Sequence, residues 1–217
     1  MKYRLDFRQG FAGFNVEITR LVYASRSHNQ IDIDLEEWPV MMEELAQKFH
    51  SVSGAGCVVV TGAGISAISA LFAQPGASRT VLEVQVPYTQ KALDEFVGTQ
   101  ADQHVSKSEA ILIAESALNR ARHLAPDNLK QSLFGVGCTA AIATDRIRKG
   151  EDRAHIAWSD GVQTGGFSVW FDKEIRTRAD EEQIVAAMVM NSIATVLKIE
   201  SRLEINILET ERIDEFG

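Results

Sequence analysis

The chain has 217 residues, with 22 Lys and Arg against 30 Asp and Glu for a formal charge of −8, and 45% of its residues are hydrophobic. That balance excludes disorder as the main state, and the length supports one substantial domain with a real core. A sequence pI near 5.2 with scattered charge argues against nucleic acid as a partner, because phosphate neutralisation needs a concentrated basic face.

No apolar run reaches the roughly 18 residues of a membrane span; Ala186 to Val196 is broken by Asn191, Ser192 and Thr195. The N-terminus lacks an apolar signal region and carries Asp6, so a cytoplasmic protein without a membrane partner is expected. Cys57 and Cys138 lie inside apolar stretches and read as reduced thiols. His28, His50, His104, His123 and His155 are scattered without ligand spacing, so neither a metal site nor a cofactor is expected.

Residues 1–33 mix short apolar pieces with turn residues and read as an N-terminal extension without an assigned element. From Asp34, the residues Leu35, Trp38, Met41, Met42, Leu45 and Phe49 recur at helical steps and predict a helix. Cys57-Val58-Val59-Val60 is a continuous β-branched run of the kind buried on both faces of a parallel sheet. It runs through Thr61-Gly62-Ala63-Gly64 into a helix from Ile65 to Phe72. Gln74-Pro75-Gly76 ends that helix, and Thr80 to Val86 alternates as a second strand, which completes a βαβ unit.

Tyr88 to Val97 predicts a short helix closed by Gly98, and Ser106 and Glu109 read as a capping box ahead of a long helix that stops before Pro126. A third strand is expected over Leu133 to Cys138. Two more follow, over Ala154 to Trp158 and Gly166 to Phe171, joined by a turn at Asp160-Gly161. A last helix runs from about Arg178 to Lys198, with acids in its first turn. Helices between strands, then a hairpin and another helix, predict an α/β fold: a three-layer α/β/α sandwich with a mixed, largely parallel sheet over residues 34–202. The segment 203–217 is acidic and weakly patterned.

Ligand crevices in open α/β sheets lie beyond the carboxyl ends of the strands, where helix N-termini present free N–H groups. Two segments answer that description: Thr61-Gly62-Ala63-Gly64-Ile65-Ser66 and Gly137-Cys138-Thr139-Ala140-Ala141. The first is neither a P-loop nor a full dinucleotide fingerprint. Its amides and the Thr61 hydroxyl suit a phosphate or an oxyanion, while a plain tight turn would use the same glycines. Cys138 reads more readily as a small buried hydrophobe than as a nucleophile, since no histidine is placed by sequence to activate it. The Arg146 to Arg153 run reads as solvated loop charge, with a phosphate clasp as the alternative. Tyr88 suits either stacking on a ring or core packing.

The succession of segments resembles the C-terminal amidase domain of the CinA (competence-damage-inducible) family, the nicotinamide-nucleotide amidohydrolases. Val60-Thr61-Gly62-Ala63-Gly64-Ile65 stands where that family carries E-S-C-T-G-G, and Pro75-Gly76-Ala77-Ser78 where it carries P-G-S-S. Tyr88-Thr89-Gln90-Lys91-Ala92-Leu93 answers Y-S-N-x-x-K, His104 to Glu109 answers G-A-V-S-E-E, and Val136 to Ala141 answers T-G-I-A-G-P. The similarity spans about residues 36 to 200.

The resemblance implies the same sandwich and a small-molecule nucleotide, such as nicotinamide mononucleotide, as substrate. Its carboxamide would be hydrolysed by a serine nucleophile, an assisting lysine and backbone oxyanion donors. It also implies a homo-oligomer and, in a divergent branch, a nucleotidyltransferase-like partner. Carried over, the nucleophile position is Thr61, with Lys91 as the nearby general-base candidate, and the substrate-binding positions are Gly62, Ala63, Gly64, Ser78, Tyr88, Thr89, Gln90, Gly137, Cys138 and Thr139. Thr61 keeps the serine's hydroxyl, but the lysine position holds Leu93, and Lys91 lies about 200° away around a helix. Two readings follow: an amidohydrolase, or a nucleotide-binding regulatory module of the same fold without turnover.

Overall fold

The structure is a computed structural model that describes residues 38–126, 131–146 and 148–217. The N-terminal extension of residues 1–33 lies outside the described residues, as do Asp34 and Leu35, where a helix is expected to begin.

Helix α1 (Trp38–Phe49) buries Trp38, Met42, Leu45, Ala46 and Phe49, the stripe its spacing predicts. Strand β1 (Ala55–Thr61) is buried along its whole length and feeds α2 (Ile65–Ala73) through the glycine turn. A 3-10 turn at Ala77–Arg79 leads into β2 (Val81–Gln85). Helix α3 (Gln90–Val97) is capped by the Thr89 hydroxyl, which accepts the Ala92 amide hydrogen, and ends at Gly98 in the left-handed region.

The N-cap of α4 (Lys107–Leu124) is Ser106, whose hydroxyl accepts the Glu109 amide hydrogen. Only this half of the expected capping box forms. The Glu109 side chain turns inward, and its Oε1 has no partner among the described residues. The full reciprocal box belongs to α5 (Arg178–Val196), between Thr177 and Asp180.

Strands β3 (Leu133–Ala141), β4 (Asp152–Ser159) and β5 (Thr164–Phe171) follow, and β6 (Arg212–Phe216) closes the sheet. The strand order is β2-β1-β3-β4-β5-β6. The first three strands run parallel and the other pairings are antiparallel, so the sheet is mixed, as expected of βαβ units followed by a hairpin. The acidic segment in which the sequence shows no element thus supplies the last strand, through an irregular alternation that a short, exposed edge strand tolerates.

Two helical layers cover the sheet. Val58, Val60, Val136, Cys138, Ile156 and Val169 face α1, α2 and α5. Cys57 and Val59 face α3 and α4, where they meet Leu93, Ile113, Ala117 and Ala121. Helix α5 is buried on nearly every side from Ile184 to Ala194, which explains an apolar run too short and too interrupted to cross a membrane. Among the described residues no helix is long and apolar enough for that.

Candidate functional site

Thr61 ends β1 with the parity of Cys57 and Val59, so its side chain lies on the α3 and α4 face of the sheet. Its register partner is Thr139 on β3, whose partner in turn is His155 on β4. Beyond these strand ends lies a cleft of about 270 Å³. Thr61, Gly62 and Thr139 line it, with Tyr88, Thr89 and Gln90 at the start of α3 and Leu93 behind them. Ala140 and Ala141 end β3, Ile142, Thr144 and Arg148 come from the loop after it, and Arg178 comes from the start of α5.

The turn after β1 requires glycine at position 62. Its φ is 85°, and a Cβ there would lie 1.9 Å from the Ala140 carbonyl oxygen. This close approach brings the ends of β1 and β3 together and forms the floor of the cleft.

The amides that suit an anion are already occupied in part. Glu182, on α5, accepts hydrogen bonds from the Gly64 amide at 2.7 Å and from the Ser66 amide at 3.0 Å, and its Oε1 also takes the Ser66 hydroxyl at 3.2 Å. A carboxylate from 116 residues away therefore fills the N-terminus of α2, where the sequence reading placed a ligand. Among the described residues, the Gly62 and Ala63 amides have no protein acceptor.

Of the residues singled out by sequence, Thr61, Gly62, Tyr88, Thr89, Gln90 and Thr139 meet around the cleft. The others stand elsewhere. Ala63 and Cys138 are buried in the opposite core, and the Cys138 thiol lies 3.7 Å from the Ala63 carbonyl oxygen. Burial pushes that thiol far up, with the Glu182 charge adding to the effect, so Cys138 is the inert hydrophobe its setting suggests. Gly137 lies against Ala114 and Ile113 of α4. Ser78 is exposed in the turn that precedes β2, at the opposite end of that strand from Tyr88. The Lys91 side chain is 87% exposed and pairs loosely with Glu95 on the outer side of α3.

The structure adds residues that pattern did not single out as a group. His104 lines the cleft, and its Nε2 lies 2.8 Å from Asp94 Oδ1. Its carbonyl accepts the Thr139 hydroxyl at 2.5 Å. Arg178 bridges the two strand-end loops, donating to the Ala143 carbonyl at 2.8 Å and to the Gly62 carbonyl at 3.3 Å. Arg148 donates to the Ile142 carbonyl and pairs with the buried Asp152. Among the described residues lining the cleft there are two arginines and no carboxylate. Arg148 is paired with Asp152, while the bonds of Arg178 among the described residues go to carbonyls, so Arg178 gives the recess its positive character.

The fold has solved counterparts. A competence/damage-inducible protein of Agrobacterium tumefaciens superposes with a TM-score of 0.55 at 19% identity, over 74% of this chain and 96% of the other. The chain has the CinA superfamily fold. An Escherichia coli member of the competence-damaged protein (CinA) superfamily covers 86% of this chain and 99% of its own, at 17% identity and a TM-score of 0.52. A competence or damage-inducible protein from Enterobacter asburiae gives 0.56 at 16% identity, over 76% and 98%. No family model matches the sequence, and no curated protein does. In this CinA-like fold the cleft lies beyond the carboxyl ends of the parallel strands, where open α/β sheets place their ligands.

Proposed function

We propose that the cleft binds a pyridine mononucleotide and hydrolyses its carboxamide, with Thr61 as the nucleophile. The observation that carries this reading is a free hydroxyl in a positive, carboxylate-free recess. Two threonine hydroxyls stand side by side at the strand ends, and that of Thr139 is committed to the His104 carbonyl. The Thr61 hydroxyl has no protein partner among the described residues and faces the cleft. Arg148 and Arg178 suit a phosphate, since a guanidinium has five N–H donors, of which Arg148 commits some to the Ile142 carbonyl and Asp152 and Arg178 some to the Ala143 and Gly62 carbonyls. The Gly62 amide lies beside Thr61 in the cleft lining, where a tetrahedral oxyanion would form. A planar ring fits beside the exposed Tyr88.

The test is ammonia release from nicotinamide mononucleotide by the purified chain. Release that Thr61→Ala abolishes supports the enzyme. One observation favours the second reading, a nucleotide-binding module without turnover: apolar Leu93 lines the cleft while Lys91 points to solvent. Calorimetric binding of the nucleotide without ammonia release would select it, and no binding at all would exclude both.

A further inference from the structure

We infer that His104, held by Asp94, is the general base for Thr61, an assignment that rests on the hydrolase reading proposed above. The family resemblance places a lysine where this chain has Leu93, so a basic group has to come from elsewhere in the cleft. His104 is the imidazole among the described lining residues. Its Nε2 lies 2.8 Å from Asp94 Oδ1, so the neutral ring carries its proton there and leaves Nδ1 as the acceptor.

The dyad is built to hold position. Asp94 Oδ1 also accepts the Ala101 amide hydrogen, the His104 carbonyl takes the Thr139 hydroxyl, and the neighbouring Val105 carbonyl takes two bonds from Arg153. The loop is thereby tied to β3 and β4, and the side chains of His104 and Asp94 are only 17% and 22% exposed. Glu109 on α4 is the other acid facing this pair. Burial pushes its carboxyl up and the Asp94 charge adds to that, against the opposing effect of His104. Thr61 and His104 both line the cleft, and Thr139, the register partner of Thr61, ties the His104 backbone to the end of β3.

The step balances without a further reactant than water. Thr61 Oγ1 attacks the carboxamide carbon as its proton passes to His104 Nδ1. The C–N bond breaks as Nδ1 returns that proton to the nitrogen, which leaves as ammonia. Water then attacks the Thr61 ester, giving a proton to Nδ1, and the C–O bond breaks as Nδ1 reprotonates Oγ1 and frees the carboxylic acid. Asp94 acts as a positioning residue, fixing the tautomer and stabilising the transient imidazolium.

The experiment measures ammonia release from nicotinamide mononucleotide by wild type, His104→Gln and Asp94→Asn, with circular dichroism as the fold check. The expected result is a kcat loss of about 100-fold or more for His104→Gln and about 10-fold or more for Asp94→Asn, each with KM within about twofold. Should His104→Gln fail to fold, Asp94→Asn carries the same kcat-against-KM split. A His104→Gln or Asp94→Asn protein that keeps wild-type kcat overturns the dyad and leaves the hydrolase reading intact. A wild type that releases no ammonia overturns the hydrolase reading and the dyad with it.

Discussion

The Glu182 carboxylate and the Gly64 amide lie 2.7 Å apart, joining the start of α5 to the turn after β1 across 118 residues of chain. Together with the bonds to Ser66, this contact gives α2 an internal anion in place of a side-chain cap of its own. Glu182→Ala frees two amides at once, and a stability loss of about 1–3 kcal/mol is expected in urea unfolding. The vacated helix end accepts an inorganic anion, so phosphate is expected to raise the midpoint of Glu182→Ala more than that of the wild type. Equal phosphate responses would contradict this role.

Glu181, one residue earlier, faces inward and accepts the Ala143 amide hydrogen at 2.6 Å, steadying the loop that forms one wall of the cleft. Burial pushes its carboxyl up to about 7 from 4.5; the Ala143 bond opposes the shift and Asp152 adds to it. The folded chain therefore holds a proton that the unfolded chain releases between about pH 4.5 and 7. This contribution is fully present below pH 4.5 and is lost as the pH rises through 7. Unfolding free energies of wild type and Glu181→Gln at pH 5 and pH 8 are expected to differ in slope by on the order of 3 kcal/mol, the wild type being the steeper. Parallel slopes would count against the buried neutral acid.

The last strand is held by a buried ion pair. Arg176 donates to both oxygens of Glu211 at 2.9 and 2.8 Å, with side chains 7% and 0% exposed. Arg176→Met strands the Glu211 charge and is expected to cost about 3–5 kcal/mol, whereas Arg176→Met with Glu211→Met recovers most of that. Amide exchange at Arg212–Phe216 reports the effect directly, and unchanged protection of β6 in the single variant would refute the stapling role.

Gly135, within β3, lets α4 lie directly on the strand. A Cβ there would meet the Ala114 oxygen at 2.1 Å and the Leu118 nitrogen at 2.3 Å, both backbone atoms that cannot swing aside. Gly135→Ala is expected to lose about 3 kcal/mol or more. Gly150→Ala, with open space around it, serves as the control within about 0.5 kcal/mol. Comparable melting temperatures for the two would disprove the contact.

What the sequence disclosed follows the range of the interaction that sets it. The Val58 to Val60 run, the glycine turn, the Ser106 and Thr89 caps and the Asp160 turn depend on neighbours within a few residues, and they place the sandwich and one wall of the cleft. Glu182 on the α2 N-terminus, and Arg178 on Gly62, depend on partners more than 100 residues away that no local pattern encodes. Ser78 stands beside the cleft motifs in sequence, but the length of β2 separates it from them in space. His104 lies just ahead of the Ser106 and Glu109 capping signal, a local pattern that encodes a helix start and nothing about a base. Its pairing with Asp94, across a loop without periodicity, shows only in the folded chain.

The central claim, that the recess around Thr61 receives a small anionic nucleotide, is tested most directly by amide chemical-shift mapping of the isotopically labelled chain during titration with nicotinamide mononucleotide. Saturable shifts are expected at Thr61, Gly62, Ala63, Thr139, Ala141 and His104, with little change on the outer face of β5 and β6. Shifts clustered around Trp170 and Phe216 instead, or none anywhere at millimolar nucleotide, would contradict it.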